Sequence, residues 1–183
     1  MGLGRLIVRG AVGSLMIGHG TQKLFGWFGG GGPGGTAQFF ENAGIRPGRR
    51  NALAAGASEA GGGLLLAIGL ATPLAVAALQ GVMLTAVRHV HWKNGPWSSG
   101  GGYEYNAVLV ATLFALAESG PGPLSLDAAR GKERAGLGWA VLALGAAAAG
   151  SYATSELARR QPVADEATPR EEAAEPESAV EAS

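Results

Sequence analysis

The chain has 183 residues, balances 14 Lys+Arg against 14 Asp+Glu, and contains 32 glycines and no cysteine. Without cysteine it can make no disulfide scaffold, thiolate zinc site, cysteine-ligated iron–sulfur cluster or thiol relay of its own. Only 15% of it is charged, against about 25% in a soluble domain, and it has no basic excess; a bilayer is the expected surrounding and nucleic acid is not an expected partner.

Five apolar segments succeed one another along the chain. The first covers 6–28, the second 52–71 with one acid, Glu59, and the third 73–92, uncharged as far as Val87. The fourth covers 103–117 and the fifth 135–155, the last without a charge. A helix needs roughly 20 mostly apolar residues to cross a hydrocarbon core. Segments one, two and five meet that length directly; three and four meet it if their polar ends reach the interface. Segments two, three and five are apolar or small all round, where a soluble helix shows a polar face. Gly56/Ala60 and Ala57/Gly61 are small-residue pairs suited to close helix contact. The expected fold is therefore an all-α integral membrane protein: a four-helix transmembrane bundle over 5–128, an additional transmembrane helix at 135–155, and an acidic tail at 161–183. That tail holds one arginine against seven acids and little to bury, so disorder is expected there. The first segment continues into His19, Gln22 and Lys23 without a small-residue cleavage site, so no cleaved signal peptide is expected. The stretches 29–50, 93–102 and 118–134 read as loops, and 71–73 as a tight hairpin.

Alternation of direction brings the end of segment one, the start of two, the end of three and the start of four to one side of the membrane. The unusual residues lie there: His19, Lys23, Glu59, Arg88, His91, Trp92, Asn94, Tyr103 and Glu104. At 1.5 Å per residue, His19 and Glu59 both sit roughly 12 Å below that face. A carboxylate at such depth must be protonated or paired. His19 is the first expected partner and Arg88 the second, with Lys23 also in reach. A latch between helices would use Glu59 equally well, and the tryptophans and tyrosines equally suit an interfacial belt. His89 and His91 resemble a metal pair, but two-residue spacing sends their rings to different helix faces. The glycine run at 29–35 lacks the Gly-Lys-Ser/Thr of a phosphate loop.

HGTQKLFG at 19–26, GGTAQFFENAGI at 34–45, SEAGGGLLLAIGLATPLA at 58–75, VHWKNG at 90–95, GGYEY at 101–105 and GPGPLSLD at 120–127 together resemble the DoxX family of small bacterial membrane proteins. The resemblance runs in order over about residues 5–128. It implies a four-helix transmembrane bundle in the plasma membrane and a link to membrane redox complexes, since the family takes its name from a subunit of a thiosulfate:quinone oxidoreductase. His19, Lys23, Glu59, His91, Asn94, Tyr103 and Glu104 are the motif positions that carry over.

Three functions compete. The first is a redox-complex subunit that binds a quinone or another lipophilic carrier, with His19, Lys23 and Tyr103 as donors, Glu59 as proton relay, and soluble redox-enzyme subunits as partners. The second is a non-enzymatic scaffold that docks a soluble partner through its polar face or acidic tail. The third is a small proton-coupled transporter, for which a homo-oligomer would supply the missing walls. The sequence leaves the cofactor open, with a quinone among the candidates.

Overall fold

The computed structural model describes residues 2–161. Most of the acidic tail expected at 161–183 lies outside them. The described chain is all helical: α1 Leu3–Phe25, α2 Gly32–Asn42, α3 Gly48–Ile68, α4 Thr72–Ala86, α5 Glu104–Ser119, α6 Leu126–Ala129 and α7 Leu137–Arg159. α4 continues through a π-helical turn, Val87–His91, and a 3-10 turn, Trp92–Asn94.

Local chemistry sets the boundaries. Gly26, in the left-handed region, ends α1 by donating its N–H to Gln22 O. Gly69 does the same for α3, and Pro73 opens α4. The stretch 29–50, expected to be loop, contains α2. Its glycines argue against a helix, but Pro33 pre-sets the first turn and packing against α3 stabilises the rest.

Glycine decides the tightest contact, between α1 and α3. A Cβ on Gly13 would come within 2.6 Å of Gly63 O, and one on Gly20 within 2.6 Å of Gly56 O. Such backbone-to-backbone approach is what small residues permit. Of the two expected pairs, Gly56/Ala60 meets α1; Gly61 faces open space. α4 lies at the centre and packs on α3, α5 and α7. The core joins Met16, Leu66, Val76, Leu79, Leu113 and Ala140. The fifth segment is thus part of the bundle: α7 buries Ala140, Ala143 and Ala147 against α4 and α5.

Among the described residues two helices are long and apolar enough to cross a membrane, Thr72–Asn94 and Leu137–Arg159. Segment five thus qualifies as expected and segment three does so through its polar extension, whereas segments one and two do not. α1 and α3 carry Arg5, Arg9, Lys23, Arg49, Arg50 and Glu59 among many glycines, and glycine adds length without hydropathy. α5 is 16 residues long, about 24 Å.

The end of the bundle away from the polar cluster, expected to hold only a bare hairpin and ordinary charges, is a lock. Arg9 is 2% exposed. Its Nε donates to Ala67 O at 3.1 Å, Nη2 to Leu124 O at 2.6 Å, and Nη1 to Pro121 O. Asp127, 5% exposed, accepts from the N–H groups of Ala71 and Thr72 at 3.0 and 3.2 Å. Those amides are orphans at the start of α4, so the carboxylate caps that helix from a distant part of the chain. Ser125 caps α6 by accepting from Ala128 N. The GPGPLSLD segment is therefore a strap across the α3–α4 hairpin and α1.

Candidate functional site

α1 presents His19 and Lys23 one turn apart, on the same face. Gly20 between them lets α1 come close to α3, and this proximity brings Lys23 to Glu59. Lys23 Nζ lies 2.6 Å from Glu59 Oε2, with the lysine side chain 21% exposed and the glutamate side chain 3%. Among the described residues no other donor hydrogen-bonds that oxygen. Lys23 Nζ also reaches His19 O at 3.5 Å. The partner of Glu59 is thus Lys23, rather than His19 or Arg88 as first and second expected. The long lysine stem spans the gap that an imidazole does not. Arg88 turns the other way and lies 5.6 Å from the centroid of the Tyr152 ring on α7.

His89 and His91 lie on the π-helical turn and point to different partners. An added residue in the turn shifts the register of the residues after it. His89 meets Ala43 O at 3.3 Å and Ser155 Oγ at 2.8 Å, while His91 Nδ1 meets Gly101 O at 2.7 Å. A carbonyl can only accept, so Nδ1 of His91 carries the proton and Nε2 is left for other partners. Among the described residues no group of three or more His, Cys, Asp or Glu side chains is placed to hold a metal ion.

Four further expected residues build the loop that covers this end. Trp92 stacks on Tyr103, with centroids 5.5 Å apart and planes 17° from parallel. Asn94 Nδ2 donates to Gly101 O at 3.2 Å, and Glu104 Oε2 accepts from Ser98 N at 2.9 Å. The loop so held brings Ser98, Gly101 and Gly102 over a cavity of about 340 Å³, which His19, Lys23, Glu59, His91 and Asn106 also line. Trp92, Asn94, Tyr103 and Glu104 thus shape the lid and do not line this cavity.

A second cavity, of about 560 Å³, runs along α4 between α3 and α7, under Phe39 and Phe40 of α2. Its lining is mainly alanine, glycine and aliphatic side chains, and it shares Lys23, Glu59, Met83 and His91 with the first. This groove was not legible in the sequence. Its floor on α4 (Ala77, Ala78, Gly81) and its wall on α7 (Ala146, Gly150) are small residues, which give little signal among so many alanines and glycines. Spacing of Ala143, Ala147 and Ser151 at four residues was the one trace of the buried α7 face.

Fold and site define an all-helical protein with a Lys–Glu pair between its first and third helices, the glutamate buried. DoxX is the family concerned: its model matches residues 4–92, and that stretch of the chain belongs to it. The match takes in His19, Lys23, Glu59, Arg88, His91 and Trp92. Asn94, Tyr103, Glu104 and the GPGPLSLD strap lie beyond it. Comparison with curated proteins and with solved structures found no match.

Proposed function

We propose that the protein is a multi-pass subunit of a redox complex in the plasma membrane, and that it binds a quinone-type ligand at the Lys23–Glu59 pair. The observation that carries this reading is the convergence on one buried ion pair of a polar chamber and an apolar groove. Sites for small ligands combine apolar walls with a few placed polar groups. Exposed apolar side chains support several spans: Ile7, Leu15, Leu64, Leu74, Val108 and Leu142 are each at least half exposed, which suits lipid and not water.

A bound quinone supplies the two-electron, two-proton chemistry, and a partner subunit supplies the electrons. The chain's own residues bind and move protons. Lys23 Nζ donates a hydrogen bond to a ligand carbonyl oxygen, and Nε2 of His91, the acceptor nitrogen of that ring, accepts from a hydroxyl of the reduced ligand. The Glu59 carboxylate, paired with Lys23 at Oε2, takes up a proton from the ligand and releases it to the chamber, whose loop side leads toward water. His19 lines the proton side. Arg88 anchors α7, and Trp92, Asn94, Tyr103 and Glu104 keep the lid in shape.

Glu59→Gln keeps shape and removes the charge. Loss of one partner leaves the half-buried Lys23 ammonium without its counter-ion, so quinone affinity is expected to fall about tenfold or more, roughly 1.4 kcal/mol per decade. The check is quinone titration of detergent-purified protein, by quenching of its tryptophans. Unchanged affinity in a variant that still inserts and elutes as wild type would reject the role of Glu59.

A further inference from the structure

The groove along α4 is long, narrow and closed by a helix beyond the matched family stretch. Its lining extends on α4 from Leu74 to His91, about 25 Å at 1.5 Å per residue. Over that length a helix of about 10 Å diameter would fill roughly 2,000 Å³, more than the groove, with its cavity volume of about 560 Å³, can hold. One hydrocarbon chain fits, with carbon contacts near 4 Å. The chain would have an anchor at one end. Glu59, 2% exposed, lines the groove, and Oε2 has the Lys23 ammonium as its one close partner among the described residues. A purely hydrocarbon occupant would leave these groups unused.

We propose that the groove between α3 and α7 holds the single hydrophobic chain of a polar-headed ligand, with the head at Lys23–Glu59 and the chain entering from the bilayer beside α7. This rests on the quinone reading for the head and adds the tail. α7 is then a ligand-binding wall. Gly150 and Ala146 face Ala54 and Ala55 across the groove, and their small size makes the slot. A Cβ on Gly150 meets nothing within 4 Å, so a larger side chain is accommodated there without disturbing the α4–α7 contact at Gly81 and Ala147.

The test compares two probes on purified full-length protein, a decyl-substituted benzoquinone and the same head without the chain. Wild type is expected to bind the tailed probe at least about tenfold more tightly. Gly150→Leu, and independently Ala54→Leu on the opposite wall, should abolish that ratio while leaving the head-only probe unchanged. An unchanged ratio in both variants overturns the proposal, as does a two-chain phospholipid that copurifies stoichiometrically and is displaced by either leucine. If neither probe binds wild type but a one-chain lipid copurifies and is lost from Gly150→Leu, the groove assignment stands and the quinone head fails. If neither probe binds and no one-chain lipid copurifies, both are overturned.

Discussion

Replacement of Arg9 by alanine is expected to destabilise the protein by about 3–5 kcal/mol, the range seen when one member of a buried charged arrangement is removed. Arg9 satisfies three carbonyls at once, those of Ala67, Pro121 and Leu124. Each buried acceptor left without a donor costs about 1–3 kcal/mol. The Asp127 carboxylate close to it would lose its compensating cation. Arg9→Lys should recover little, because one ammonium cannot reproduce a planar fork that serves carbonyls on two segments. Asp127→Asn should cost less, since an amide oxygen can still accept from Ala71 N or Thr72 N. Thermal unfolding in detergent gives the ranking. A variant Arg9→Ala that melts with wild type would show that the strap does not hold the hairpin.

Gly20→Ala should cost about 1–3 kcal/mol, the range for overpacking. The methyl group meets the backbone of α3 at two points, Ala60 N and Gly56 O, and neither can yield without parting α1 from α3. Gly10→Ala on the same helix is the control. A Cβ there meets nothing within 4 Å, and alanine is favoured over glycine in a helix by about 1 kcal/mol. The same contact that excludes the methyl brings Lys23 within 2.6 Å of Glu59, so Gly20→Ala should also weaken quinone binding where Gly10→Ala does not. Equal behaviour of the two variants, in melting and in binding, would separate the close helix approach from the site.

The polar end was legible in the sequence because successive helices of a bundle alternate in direction. Alternation is enough to place His19, Lys23, Glu59 and His91 on one side, and all four line the same chamber. Which of them touch was not legible. Depth alone made His19 and Glu59 neighbours, whereas contact depends on side-chain reach and on how close the helices come. The two-residue spacing of His89 and His91 was enough to set their rings on different faces; the π-helical turn that carries them has no simple sequence mark. Arg88 and His89 looked like site residues and prove to tether α7, to Tyr152 and Ser155 respectively. The strap at 120–127 was visible as a motif, but its purpose needs Arg9, more than a hundred residues away, to be seen beside it.

By itself the sequence determined the helical class, the membrane setting, the exclusion of thiol chemistry and the gathering of polar groups at one end. These follow from composition and from periodicity, which are local or additive properties of the chain. The tertiary structure alone decided that Lys23 is the partner of Glu59, that Arg9 and Asp127 hold the opposite end, and that α7 closes a groove rather than standing apart. Each of these depends on the distance between helices. At Gly20 that distance is set by the absence of a single methyl group, a difference that packing resolves and hydropathy does not register.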